Sequence, residues 1–474
     1  MSRVKLPRLF CIRSDLGCCR TTTFLSIMQN YVCKVLSVLG LFAICSMYGC
    51  SEKALEIDEN NPGLGKLENM ATATYSLDKV SATTASFSGN LKMTESDLQY
   101  FTRLTILYSD SIDDGFDFET AETASTVMFD SNQGFSIKLN NLKGDTRYKY
   151  CVQTECQSGN SYSKVSEFRT KDFDFEQSSP ANCHIASEPG IYRFPMVKGN
   201  SNESVGVVAA VDVLWESFGS FFIKPEPGDL ISKVYYKDRY MYIQLPEPFH
   251  TGNAVVTAKD VKGTILWSWH IWMTDTPQEQ VYFNDAGIMM DRNLGATSVE
   301  PKLGKTEGLY YQWGRKDPFS DREKTTNGFI QTSSSDALTY SIKEPSWWLS
   351  NWPPNNDYEG WAKEKTIYDP CPAGWKVPKG GGSGIWKQAL GDKKIENCEQ
   401  ENGFNFSGLF SSNPLVWYPK GDFLFTRPWW LWGDSDGQGY YWSISSLYHL
   451  PNSEKNIDSD CNLATTCYVR CQKE

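Results

Sequence analysis

Short runs with larger apolar residues at every second position recur through the middle of the chain. Between about residues 69 and 172 they are Thr83–Gly89, Leu104–Ser109, Phe135–Leu139 and Ser166–Thr170. Alternation with period two predicts strands with one buried face. Asp172–Pro180 is mostly polar and predicts a junction. The strand pattern then resumes in Gly190–Pro195, Val205–Val211, Lys233–Tyr236, Tyr240–Leu245, Ala254–Ala258 and Thr264–Trp272. In the last of these Trp267, Trp269 and Ile271 share one face, and Leu266, Ser268, His270 and Trp272 share the other. So aromatic a strand reads as core, and His270 within it as a structural histidine.

From residue 281 the rhythm becomes irregular. Gly287–Leu294 predicts a strand running into a turn, Gly308–Trp313 a second strand, and Ile385–Leu390 a short helix after a glycine run. Pro318–Ser346 is long, polar and irregular, the profile of a functional or mobile segment. Of the 16 Trp, 12 lie beyond residue 300. On a strand, Trp430 and Trp432 would oppose Trp429 and Leu431. On a helix, Trp348 and Trp352 would share a side. One core cannot easily take them all, so Trp348, Trp352, Trp429, Trp430 and Trp432 are the candidate ligand-binding aromatics, able to stack on sugar rings or anchor a protein.

The N-terminal pattern is of another kind. Val35–Met47 is an apolar run after Lys34, too short for a comfortable membrane span and of the length of a signal-peptide core. It ends at Tyr48-Gly49-Cys50-Ser51. Residues 51–68 are polar and turn-rich, a flexible tether. Residues 1–27 do not read as part of a signal, and Met28 is the expected start.

Composition narrows the function classes. High aromatic, Gly and Pro content without long Ala/Leu/Glu/Lys runs favours strands and turns. The net charge of −11, with no basic cluster, argues against a nucleic-acid partner. Eight of the 14 Cys lie beyond residue 150 and suit an oxidising compartment. Four His without ligand spacing argue against zinc. Asp434–Gly437 has carboxylates at calcium-loop spacing but lacks the later oxygen ligands, so no metal or other cofactor is expected. No nucleophile elbow, phosphate loop or carboxylate pair points to an enzyme. Cys151 and Cys156 could close a hairpin bridge, or Cys156 could reach Cys183.

Five resemblances add to this. Gly49-Cys50 after the apolar run resembles a bacterial lipobox, which implies that Cys50 is the lipidated mature N-terminus. The acidic tether behind it resembles the surface-export signal of Bacteroidetes lipoproteins. Leu139–Val152, with Tyr148 placed for a tyrosine corner, resembles strands E and F of fibronectin type III domains; the block 173–280 resembles an immunoglobulin-like module. Finally, Asn293-Leu294, Gly308–Trp313, Cys371–Pro378, Trp442-Ser443 and Val469-Arg470-Cys471 stand in the order of the major paralogous domain first described from Fibrobacter succinogenes. The chain departs from that pattern at Ile444 and in its glycine run. The resemblance implies a C-type-lectin-like scaffold, akin to formylglycine-generating enzymes, and a bridge between Cys371 and Cys471. That leaves Cys398, Cys461 and Cys467, an odd number.

The expected architecture is mainly β and multidomain: two β-sandwiches followed by an α+β C-type-lectin-like domain. The expected boundaries are 1–50 signal, 51–68 tether, 69–172 and 173–280 sandwiches, and 281–474 lectin-like block. The expected function is a non-enzymatic, lipid-anchored outer-membrane protein, surface-exposed, whose partners are the membrane and a glycan or surface protein. A subunit of a fimbria-like assembly is the first alternative. An enzyme on the same scaffold, using Cys461 and Cys467, is the second.

Overall fold

The computed structural model describes residues 74–90, 101–110, 116–126, 134–156, 159–219, 223–301, 305–319, 329–330, 336–349, 352, 360–380, 384–400, 402–420, 439–442, 447–450 and 466–474. Thr72–Glu474 form one compact unit. The described part is mainly β, in several sheets. The signal, lipobox Cys50 and tether lie outside the described residues, as do Trp429, Trp430, Trp432, Cys461 and the Asp434–Gly437 stretch.

The first sandwich pairs a sheet of Thr74–Val80, Ala85–Asn90 and Gly134–Leu139 with one of Glu122–Thr126, Phe101–Ser109, Arg147–Cys156 and the two short strands Gly159–Tyr162 and Ser166–Arg169. In fibronectin type III lettering this is A-B-E against C′-C-F-G. Alternation does what the sequence predicts: Phe135, Ile137 and Leu139 point inward with Leu104, Ile106, Tyr150 and Val152. The Tyr148 hydroxyl accepts the Lys143 amide at 2.8 Å, which closes the corner between strands E and F.

The Cys151–Cys156 hairpin bridge does not form. Both residues lie on the single strand Arg147–Cys156, five residues or about 17 Å apart, well outside disulfide reach. Cys151 is a free, buried thiol.

The second sandwich has the order of an immunoglobulin domain with a divided first strand. One sheet runs Lys233–Lys237, Tyr240–Leu245, Gly190–Pro195, Phe175–Glu176; the other runs Cys183–Ala186, Ile265–Met273, Gly252–Lys259, Ala210–Ser217. Cys183–Ala186 lies parallel to Ile265–Met273. Trp267, Trp269 and Ile271 fill the space between the sheets. One strand starts later than predicted. Val205–Ala209 lies outside any strand and pairing begins at Ala210, because Gly206 turns to φ +115°, off the β region.

The two sandwiches meet at their ends. Asp174 accepts the Ala82 amide at 2.7 Å and the Ile191 amide at 3.1 Å. The Tyr242 hydroxyl donates to Asp172 at 3.0 Å.

The C-terminal block starts and ends in one sheet: Glu279–Tyr282, Gly287–Met290, Gln472–Lys473, Trp375–Lys376. The Cys371–Cys471 disulfide joins the Cys-Pro turn to the last strand. A helix forms at Ile385–Leu390, where the sequence predicts one; it buries Ile385, Trp386, Ala389 and Leu390. Cys183 and Cys398 are free and buried, so the alternative pairing of Cys156 with Cys183 does not form either.

Candidate functional site

The outer face of strand Ile265–Met273 does not meet solvent. Ser268, His270 and Trp272 are at most 1% exposed, because the C-terminal block packs on them. The Trp272 indole donates to the Ala296 carbonyl at 3.0 Å, and Asn253 donates to that of Gly295 at 2.8 Å. Asn182 donates to the carbonyls of Ile367 and Asp369 at 2.7 and 2.8 Å. Cys183 bridges in parallel to Pro372 and shares an apolar cluster with the Cys371–Cys471 bridge. Gly199 approaches so closely that a Cβ there would sit 2.2 Å from the Ile367 carbonyl oxygen. The seam is therefore a continuous core and not a flexible junction.

Buried charge pins this seam. Lys316 donates to the Ser268 carbonyl at 3.1 Å and to both Asp317 oxygens at 2.7 and 2.8 Å. Its ammonium also lies 4.5 Å from the Trp267 ring centroid, and Ser268 donates to Asp317 at 2.6 Å. Burial lowers the Lys316 pKa and Asp317 opposes that. The cluster places a serine, a lysine and an aspartate together, as some hydrolases do, but Ser268 is 0% exposed and no substrate reaches it. Removing one partner strands the other charge in a dry seam. Asp317→Asn is expected to cost about 3 kcal/mol, read as a shift of the denaturant midpoint.

Asn293-Leu294, Val469-Arg470, the Cys371–Trp375 turn and their neighbours are used in the same structural way. Arg470 donates to Asn293 at 3.0 Å and its guanidinium lies 3.6 Å from the Tyr418 ring centroid. The Leu294 amide donates to Val469 at 2.8 Å. Lys365 donates to the carbonyls of Cys371 and Pro372 at 2.8 and 3.0 Å and to that of Trp375. It also faces Asp369, whose pKa burial raises. Arg315 donates to Trp347 and Pro345 carbonyls at 2.8 and 3.0 Å.

Two of the candidate ligand aromatics are corrected. Trp348 is 3% exposed and Trp352 4%. The helix ends at Lys343, and Trp348-Leu349 instead forms a short strand parallel to Phe329–Ile330. Trp348 lies in the block's main core, and the Trp352 indole donates to the Trp313 carbonyl. Neither presents a ring to a ligand.

A surface aromatic group lies elsewhere, on the first sandwich. Phe116, Phe118 and Tyr162 meet edge to face, with both centroid separations 5.0 Å. Phe118 is 44% and Tyr162 48% exposed. The rings are held in place: Asp117 accepts the Glu119 amide at 2.9 Å and the Thr120 hydroxyl at 2.8 Å, closing the turn that carries both phenylalanines. Sequence reasoning missed this group. Its one signal was two phenylalanines two apart in an acidic, glycine-containing segment, which reads like any other period-two alternation.

No family model matches the chain, and no curated protein matches it by sequence. Among solved structures, the sensor domain of the anti-sigma factor RsgI4 of Pseudobacteroides cellulosolvens is 19% identical, covering 22% of this chain and 98% of its own, with a TM-score of 0.17. The FN1–FN3 domains of chicken CNTN1 are 24% identical over 21% of this chain and 31% of theirs, with a TM-score of 0.17. The fibronectin type III domain of human fibronectin type III domain containing protein 3 is 18% identical over 21% and 83%, with a TM-score of 0.15. The fibronectin type III-like assignment of the first sandwich rests on its own strand order and tyrosine corner.

Proposed function

We propose that the protein is a lipid-anchored binding protein of the bacterial outer membrane, exported through its signal, tethered at Cys50 and displayed at the surface. Its C-terminal block serves as a lectin-like scaffold and not as a catalyst. One observation carries this reading: among the described residues, the charged side chains that the block buries are spent on structure. Arg292, Arg315, Lys316, Asp317, Lys365, Asp369 and Arg470 are each bonded to protein groups. The disulfide suits an oxidising compartment. The exposed Phe118, carried on an ordered turn, and Tyr162, at the end of strand Gly159–Tyr162, supply binding area at low entropic cost. The ligand class is a glycan or a surface protein.

The test is a glycan array and a cell-surface binding assay on the intact chain, against Phe118→Ala/Tyr162→Ala and Trp430→Ala/Trp432→Ala. The reading expects at least one pair to reduce binding about tenfold or more, since aromatic anchors cost 2 kcal/mol and upward when truncated. Unchanged binding by both variants would remove these aromatics as the anchors. Radiolabelled fatty acid incorporation that survives Cys50→Ser would sink the anchoring claim.

A further inference from the structure

A second feature of the immunoglobulin-like sandwich is unrelated to adhesion. Strands Lys233–Lys237 and Tyr240–Leu245 are joined by only Asp238 and Arg239. Both are left-handed, at φ +50° and +69°, which marks a type I′ hairpin turn. Aspartate tolerates the first position. The second strongly favours glycine, and arginine there is strained. Strain of this kind is kept where something other than stability is served.

What lies beside the turn gives the reason. A cavity of about 190 Å³ opens there, lined by Met196, Val205, Val208, Tyr236, Asp238 and Arg239. It has room for about six waters. Met196 and Val205 are buried in its floor, and Tyr236 is 41% exposed at its wall. The Met196 amide donates to the Arg239 carbonyl at 3.0 Å, so floor and turn are tied together. The Tyr236 hydroxyl donates to Ala209 at 3.3 Å and fixes that wall. Val205–Ala209 is the apolar run that failed to become a strand, bent around the opening at Gly206. Among the described residues neither Asp238 nor Arg239 makes an ion pair, with each other or with a neighbour.

A hollow of mixed lining, with apolar side chains in its floor and one cation and one anion on its rim, complements a small zwitterion with an apolar tail. We propose that this cavity binds a free apolar α-amino acid, its side chain against Met196, Val205 and Val208. Its α-carboxylate meets Arg239 and its α-ammonium meets Asp238. The arginine is retained at a strained position because it binds the carboxylate.

The test uses the intact protein and L-leucine as probe, followed by ligand-detected NMR and calorimetric titration. Glycine, leucinamide and N-acetyl-leucine remove the side chain, the carboxylate and the ammonium in turn. Leucine is expected to bind, and each analogue to bind about tenfold more weakly or not at all, the scale of one charge-assisted contact for the two blocked analogues and of one buried apolar side chain for glycine. Arg239→Gly supplies the second readout. It relieves the turn, so the melting temperature is expected to rise while leucine binding is lost; Asp238→Asn is expected to weaken binding at unchanged melting temperature. Failure of leucine to bind overturns the proposal. So does equal binding of leucine and glycine, or leucine binding that survives Arg239→Gly.

Discussion

Removing the Cys371–Cys471 bridge, as Cys371→Ala/Cys471→Ala, is expected to lower the stability of the C-terminal half by about 4–5 kcal/mol. The two cysteines are 100 residues apart, and chain entropy for a loop of that size gives about 4.7 kcal/mol. The location adds to the effect. The bridge ties the turn before Trp375–Lys376 to the strand Gln472–Lys473, which is also the partner of Gly287–Met290. Both sulfurs lie in the apolar cluster that holds Trp272 and Cys183 of the second sandwich. Loosening the bridge therefore disturbs both sides of the seam. The measurement is the guanidinium midpoint, followed by tryptophan fluorescence. A loss below about 1 kcal/mol would show that the terminal strand is held without the bridge.

The second large effect is acid sensitivity from His184 and His270. Burial is the main cause that holds each pKa down to about 3. His270 Nε2 meets Asn253 at 2.9 Å, and His184 Nδ1 meets Gln177 at 2.8 Å. The remaining ring nitrogen of His270 is buried without a hydrogen-bond acceptor, so a proton there would be unsolvated; at His184 the Ala181 backbone favours the charged ring but burial outweighs it. In the unfolded chain both titrate near 6.5. The unfolded state therefore binds more protons, and stability rises with pH. The full contribution is present above about pH 6.5 and is lost progressively as pH falls towards 3. Between pH 7 and pH 4.5 each histidine costs about 2–3 kcal/mol, and the pair about 5. Urea titrations across that window should show the decline, and His184→Phe/His270→Gln should flatten it. A wild-type curve level between pH 7 and 4.5 would contradict the assignment.

How far the chain was legible depends on what each residue's partner is. Strands such as Tyr240–Leu245 were readable because their faces are set by neighbours with the same period. The helix Ile385–Leu390 was readable from its own composition. The aromatic strand Ile265–Met273 showed two greasy faces, but nothing local says that the second face is covered by residues 295–317 and 367–372. Lys316-Asp317 looks like a solvated pair in sequence; only the seam makes it a buried one. Val205–Val211 reads as a single strand because a glycine's φ is not written in its neighbours. Trp348 and Trp352 read as surplus aromatics because the sequence does not display the size of the core that takes them. The Cys371–Cys471 pairing came from resemblance and not from spacing, and the structure contains that bridge. The exposed rings of Phe118 and Tyr162 stand 44 residues apart in sequence, and only the fold of the first sandwich brings them together.

The buried seam makes the second sandwich and the C-terminal block one folding unit. Native-state hydrogen exchange on the intact chain tests it most directly. Amides of Ile265–Met273 and of Tyr310–Gln312 are expected to exchange through one common opening free energy, and Asp317→Asn is expected to lower both by the same amount. Separate opening free energies for the two strands, with Asp317→Asn lowering only one, would contradict it.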